Sequence, residues 1–541
     1  MIVSSPRGGL DYPAVPAGAV VAGAAARWGD RVALHADGRE LSFAQLYHRA
    51  CQFANALRVA GVGAGDVVAL HLPNCPEFAV AYHGILLAGA TYTPANPLLP
   101  PNELAAQLAD SGAVLAVSFD PAARALEAVR DNIAVRRIVQ LGTEFEAFLA
   151  DQPTSRPEVS IDVDRDLAHL AYTGGTTGRS KGVMLPHRNV VTNALQFACW
   201  GTGSVPLLDG DGGLTLAQTE PEDEFPARIG GSTTISLAPW FHAMGTIGGL
   251  QVAMLTGTTQ VLHIGLDTGR YLADAEKFAV TTMTGAPPVF AALVAHPDFA
   301  TRNLDSVRSI TSGAAPLAVE LIKTLRARFG EDVVIGEGYG LTEVTMGATA
   351  GPAGRSAVRK VGTVGLPVFD TEIKLVSEDS THDPERPLPV GERGEVCIRG
   401  PQVMTGYLGR PDETAATLVD GWLHTGDIGL LDEDGYLAIV DRKKDMLLYK
   451  GYNVYPRQLE ELLYAQPGVQ AAAVVGRPDP AVGELPVAFV VGAELDLEKL
   501  RATVNDQLLP YQRLREIQLV DALPVSAAGK VLKRELRERL R

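Results

Sequence analysis

Cysteine is scarce: the 541 residues contain four, at Cys51, Cys75, Cys199 and Cys397, all far apart in sequence. With no CxxC pair and no Cys/His cluster, neither a disulfide framework nor a structural zinc site organises the chain. The expectation is a reducing, cytoplasmic setting. Positive charge is short as well. Lys and Arg number 47 against 63 Asp and Glu, a formal net charge of −16, so the basic face that a nucleic-acid binder needs is missing. That deficit does not exclude a small anionic ligand, which is held by local dipoles and a few cations whatever the global sign. Long apolar runs are missing too. The opening MIVSSPRGGLDYP has no apolar core of signal-peptide length. The most apolar segment, residues 244–264, is interrupted by Gly, Thr, Gln and His, which predicts buried helix and strand and no membrane span.

What is present suits a folded protein: 46% hydrophobic and 20% charged residues exclude bulk disorder. At roughly 100–200 residues per domain, this length predicts three or four structural units. Helical spacing at 41–60 and 77–87 alternates with short apolar strands at 66–72 and 90–94, the signature of parallel βαβ units with helices on both sheet faces. The same alternation returns between 260 and 335. Its strands are predicted at 260–263, 281–285, 309–312 and 333–335, its helices at 270–279, 288–295 and 317–329. From Gly362 the character changes to short strands with Gly and Asp turns (GERGEVCIRG, DEDGYLAIVDR), which predicts an antiparallel β-subdomain. A last helix–strand alternation begins near Pro456, with a boundary near Asp441–Arg442. Residues 201–232, rich in Gly, Asp, Glu and Pro, are predicted to form a long solvated surface loop.

The strongest local signal is YTGGTTGRSKG at 172–182. It follows the apolar run 167–171 and precedes a predicted helix at 188–197. Gly174, Gly175 and Gly178 let the backbone approach a polyphosphate that side chains would hold off. Thr173, Thr176 and Thr177 add hydroxyl donors and Lys181 a cation. It is not a Walker loop, because Ser180 precedes the lysine and no Ser or Thr follows it.

This loop resembles the phosphate loop of the acyl-activating, adenylate-forming superfamily, and seven further segments resemble that family's motifs in order. They are LLAGATYTPANPLLP (86–100), PWFHAMG (239–245), TSGAAPL (311–317), GYGLTE (338–343), GWLHTGDIG (421–429) and the pair VDRKKDMLLYKGYNVYPRQLEE (440–461) with PVSAAGKVLKREL (524–536). The resemblance implies an α/β fold. A large N-terminal domain (1–441) would hold two doubly wound sheets plus a β-subdomain, and a small mobile α+β domain (442–541) would carry the catalytic lysine. It implies ATP-dependent formation of an acyl-AMP, then transfer to CoA.

The family likeness also assigns residues. Adenine would lie against Gly313, Ala314, Ala315 and Pro316 and against Gly338, Tyr339 and Gly340. Thr342 would reach the phosphate, and Glu343 would hold Mg2+, which prefers carboxylate and phosphate oxygens. Asp427 would accept from both ribose hydroxyls, with Arg442 contacting ribose or phosphate at the hinge. Lys530 would carry adenylation by stabilising charge on the α-phosphate in the transition state. His242 would stand beside the acyl carboxylate, and Trp240, Phe241 and Met244 would line an apolar acyl pocket. Lys444 and Asn453 would face the adenylate, while Gly451 leaves room for the pantetheine arm. The relatives that activate amino acids carry an aspartate where this chain has His242, so a fatty or aryl acid is implied. Leu448, where some aryl-CoA ligases carry a lysine, leans toward the fatty acid. A carrier protein in place of CoA remains an alternative acceptor. The resemblance leaves oligomeric state open, a homodimer included.

Overall fold

The computed structural model describes residues 1–541 except 121, 174–179, 314–316, 378–384, 451, 494, 526–530 and 541. Two large, mainly parallel sheets form its body. One has seven strands, running from Gly406–Tyr407 through Lys181–Pro186, Leu167–Thr173, Thr91–Pro94, Val67–His71 and Ala113–Ser118 to Arg137–Gln140. Its five-strand parallel portion begins at Leu167–Thr173, and Lys181–Pro186 returns antiparallel beside that strand. The other sheet has nine strands, with Val334–Tyr339, Ser309–Ser312, Thr282–Gly285, Thr233–Ser236 and Thr259–Leu262 in parallel at its centre.

Local sequence explains the elements that hold these sheets together. The helix Phe43–Val59 starts with a reciprocal capping box between Ser42 and Gln45, which satisfies two otherwise orphan amides. It packs on Pro76–Leu87, a helix apolar all round and therefore buried on every side. Gly84 permits the contact, since a Cβ there would stand 2.8 Å from the Ala50 carbonyl and from Phe53. Phe43 and Phe53 of the first helix and Phe78 and Tyr82 of the second are fully buried.

Beyond Gly362 the expected antiparallel subdomain is present. Glu372–Val376, Arg393–Arg399, Trp422–Leu431 and Leu437–Arg442 pair antiparallel, joined at one edge by the N-terminal strand Ile2–Ser4. The chain then leaves this sheet and enters another that starts at Leu447–Tyr449. The long hairpin Val469–Asp479 and Gly483–Gly492 forms its centre, over a separate apolar core of Leu459, Leu463, Val474 and Val490. No helix among the described residues is long and apolar enough to cross a membrane.

One expectation is corrected. Residues 201–232 are not a solvated loop: Ser204–Leu208 and Leu214–Gln218 pair as a hairpin. Leu214 and Leu216 are fully buried, and Leu214 lies against Gly23 of the helix Gly18–Trp28. The polar composition belongs to the turn, where the Asp209 carboxylate accepts from the amides of Asp211 and Gly213. That turn masked the period-two alternation of the strand beside it.

Candidate active site

The candidate residues gather at the C-terminal ends of the parallel strands, where open α/β sheets bind ligands. Tyr339 ends one strand of the nine-stranded sheet, and its hydroxyl donates to Asp427 Oδ2 at 2.6 Å. Asp427 and Arg442 are register partners on adjacent strands of the antiparallel sheet, and Arg442 Nε lies 3.2 Å from Asp427 Oδ1. The Asp427 carboxylate is thus buried yet held by a phenol and a guanidinium, as a buried charge requires. Burial first, then the Asp427 charge, pushes the Tyr339 hydroxyl far above its ordinary pKa, so it remains a donor. Lys444 follows Arg442, and burial together with the Arg442 charge lowers its pKa.

A second group forms around Glu343. The Tyr407 hydroxyl donates to Glu343 Oε1 at 2.9 Å, and the Lys181 ammonium lies 4.6 Å over the Tyr407 ring. Lys181 also pairs with Glu413 at 2.5 Å, while Glu413 takes Arg410 at 3.1 Å. The loop lysine and the acidic turn residue, 162 positions apart by number (343 − 181), therefore meet through one tyrosine. The other carboxylate oxygen of Glu343 takes no hydrogen bond among the described residues, which fits a cation ligand that keeps one oxygen free. Gly340 must be glycine, because a Cβ would collide with the Met346 carbonyl. Just beyond, Thr345 adopts φ 69, a left-handed conformation costly for a β-branched residue, and its hydroxyl donates to the Gln402 carbonyl at 2.8 Å.

Between the two sheets lies a cleft of about 340 Å³, its open mouth included, bounded by Tyr92, Tyr172, Phe241, His242, Thr342 and Thr345. His242 Nε2 is buried with no partner among the described residues, and burial holds the ring below its ordinary pKa. A neutral imidazole with one unfilled nitrogen faces this region. Met244 begins a run of π-helix, Met244–Val252, and its sulfur stands 3.0 Å from where a Gly313 Cβ would be. The missing side chain of Gly313 therefore lets Met244 reach the strand end predicted to border adenine. A π-helical segment beside a ligand cleft is a recurrent functional irregularity.

Trp240 needs correcting. It has no exposed surface, packs its ring 5.6 Å from Phe78 and donates its indole N–H to Ser236 Oγ at 3.0 Å. It supports the cleft from beneath and does not line it, because its N–H found a buried acceptor. Thr173 ends the strand before the phosphate loop, opposite Lys181, and its carbonyl accepts from Ser180. Gly338 lies in the strand Val334–Tyr339, opposite Ala350. Asn453 is exposed on the hairpin Leu447–Tyr449 and Tyr452–Val454, and no hydrogen bond among the described residues ties it to Asp427 or Arg442. Gly174, Gly175, Thr176, Thr177, Gly178, Ala314, Ala315, Pro316, Gly451 and Lys530 lie outside the described residues. Sequence reasoning missed Tyr407, Glu413 and Thr345. The segment GYLGRPDET, 406–414, carried the signal for the first two, a turn and helix start rich in charge after a short strand.

Comparison with known proteins shows the family. The profile of the AMP-binding enzyme family matches residues 21–408, and that of the AMP-binding enzyme C-terminal domain matches residues 458–530. A feruloyl-CoA synthase of Amycolatopsis sp is 35% identical over 505 residues, covering 93% of this chain and 94% of that protein. A long-chain-fatty-acid–CoA ligase of Bacillus subtilis is 33% identical over 559 residues, covering 96% and 93%. Among solved structures, an anthranilate CoA ligase in complex with anthranoyl-AMP matches with a TM-score of 0.86 at 28% identity, covering 98% of each chain. The chain belongs to the AMP-binding enzyme family, within the adenylate-forming superfamily. Its enzyme class is that of the AMP-forming acid–thiol ligases.

Proposed function

We propose that this protein activates a fatty acid with ATP as the acyl-AMP and then transfers the acyl group to CoA. The observation that carries the reading is the meeting of Tyr339, Asp427 and Arg442 beside the Glu343–Tyr407–Lys181 group. It sets a ribose acceptor next to groups suited to a polyphosphate. In the first step the acid's carboxylate oxygen attacks the α-phosphorus, the bond to the β-phosphate oxygen breaks, and pyrophosphate leaves. Asp427 orients the ribose, Lys181 exchanges Glu413 for the phosphates, and His242 accepts or donates at the acyl carboxylate in its neutral form. Glu343 would hold Mg2+, which supplies charge neutralisation along the phosphates when bound. Lys530 steadies charge that builds on the α-phosphate. In the second step the CoA sulfur bonds to the acyl carbon, AMP leaves with the electron pair, and the thiol proton passes to solvent or AMP. Residues 442–541 act as the small domain that presents Lys530 for the first step and Gly451 for the second.

The preference for a fatty acid rests on Phe241 at the cleft, on Met244 beside Gly313 and on Leu448. A hydroxycinnamic acid is the second reading. The feruloyl-CoA synthase and 4-coumarate–CoA ligase relatives, at 35% and 36% identity, favour it as strongly as the 33% fatty-acid relative favours the first. A panel of saturated acids of graded length beside ferulate and coumarate, with ATP and CoA present, decides by AMP release. Fastest turnover of a hydroxycinnamate sinks the fatty-acid choice. Adenylation without acyl-CoA sinks the acceptor and leaves a carrier protein in its place.

A further inference from the structure

Four arginines from three segments meet at the foot of the nine-stranded sheet, the end opposite Tyr339 and Gly313. Arg228 precedes the strand Thr233–Ser236, and Arg308 immediately precedes Ser309–Ser312. Arg355 and Arg359 lie in the loop after Thr349–Ala350, which runs antiparallel to Val334–Tyr339 and so returns the chain to that foot. Backbone contacts fix them as neighbours. Arg308 Nη2 donates to the Gly231 carbonyl at 2.7 Å, and the Gly231 amide donates to the Arg228 carbonyl at 3.1 Å. The Arg355 amide donates to the Glu224 carbonyl at 2.8 Å, and Arg359 Nη2 donates to the Arg355 carbonyl at 3.1 Å.

These arginines differ from most others in this acidic protein. None of the four forms an ion pair among the described residues; Arg359 gives its terminal nitrogens to the carbonyls of Pro352, Gly354 and Arg355 and Arg308 gives Nη2 to Gly231, while the side chains of Arg228 and Arg355 make no hydrogen bond there. The Nε atom of each of the four is buried and without an acceptor. Buried donors left unpaired in this number call for a missing partner. Burial and the neighbouring Arg228 and Arg355 charges lower the pKa of Arg308, so the cations also repel one another. Glu222 and Glu224 lie near and offset part of that charge, but Glu224 is committed to the amide and hydroxyl of Ser356. Of the four, Arg359 borders a cleft of about 440 Å³, its open mouth included, together with Arg326 and Lys360.

We propose that Arg228, Arg308, Arg355 and Arg359 form a second anion site, separate from the nucleotide cradle, that takes a phosphate-bearing anion. Guanidinium forks match tetrahedral oxyanions in pairs, and several forks on separate segments suit a ligand with more than one phosphate oxygen face. Its occupation adds to the bonds that Glu224 already makes between the 222–232 and 351–359 loops.

The test is residue-resolved. Full-length protein is treated with phenylglyoxal, and modification at each arginine is followed by mass spectrometry with and without inorganic pyrophosphate or ADP. The Arg442 peptide reports the cradle separately. The site requires at least about fivefold slower modification of Arg228 and Arg355 with one of these anions. Protection by pyrophosphate identifies a free phosphate, and protection by ADP alone identifies one carried on a nucleotide. In Arg228→Met, protection of Arg355 weakens about tenfold while acid-dependent pyrophosphate exchange is unchanged. Equal modification rates with and without both anions overturn the proposal, as does undiminished protection of Arg355 in Arg228→Met.

Discussion

Up to Arg442 the chain holds all 11 of its histidines, together with every cysteine and tryptophan; from Lys443 onward it has none of the three. The two regions also bury polarity differently. The larger buries neutral rings: burial pushes His71 and His187 down to about 4 and His83 and His169 to about 3. The larger also buries charge, at Lys374, Glu395, Asp427 and Asp441, whereas the smaller gathers part-buried charge at the junction. Lys533 pairs with Glu460 at 2.8 Å inside a group that includes Asp441 and Asp445, and their charges outweigh its burial and raise its pKa. Arg537 holds Asp445 at 2.7 Å, and the Asp441 carboxylate accepts the Arg457 amide at 2.9 Å. The larger region thus keeps its buried imidazoles neutral. A region expected to turn about 441–442 is anchored instead by ion pairs at the junction, which are directional and can be exchanged.

That contrast can be broken most directly at Lys530. Lys530→Ala is expected to lower acid-dependent pyrophosphate exchange by about 10²–10³ while supplied acyl-AMP still reacts with CoA. Equal loss of both half-reactions would erase the division of labour. Next, Lys533→Met leaves Glu460 and Asp441 without their shared cation, while Asp445 keeps Arg537. It should destabilise the small region by about 3 kcal/mol, seen as faster hydrogen exchange in the helix Pro456–Tyr464. Unchanged exchange there would mean that the cluster is ornamental. Asp427→Ala removes the partner of Tyr339 and Arg442 in the larger region, and the KM for ATP should rise about 10–100-fold in initial-rate measurements. Gly451→Leu should do the reverse of Lys530→Ala, slowing thioester formation about tenfold with exchange intact.

The smallest effect per residue is on pH. The four buried histidines titrate below their ordinary value of 6.5 in the fold. On acidification the unfolded chain therefore takes up protons first. Stability is full above about pH 6.5 and falls as the pH drops toward 4, by on the order of 1 kcal/mol per histidine between pH 7.5 and 5.5. Urea midpoints read by tryptophan fluorescence, which reports the large region alone, should show this. The small region's far-ultraviolet signal should hold over the same interval.

Legibility followed the range of the interactions. The strands at 309–312 and 282–285 and the helices at 77–87 and 288–295 were readable because period and end signals are local. The 201–232 hairpin was hidden, since its polar turn dominates composition while only Leu214 and Leu216 mark the buried face. Trp240 was read as a pocket wall because an aromatic beside a histidine looks the same whether it faces a cleft or Phe78. Tyr407 and Glu413 escaped notice because nothing near 406–413 announces a partner at Lys181.

By itself, then, the sequence determined the order of elements, the change from parallel to antiparallel pairing, and the residue types of a phosphate loop and its acidic partners. These depend on backbone propensity and on short spacings. Only the tertiary structure decided that Asp427 faces Arg442 and Tyr339, that Lys181 reaches Glu343 through Tyr407, and that four arginines share one foot of a sheet. Each of those depends on strand order and register, which bring together side chains that no local spacing relates.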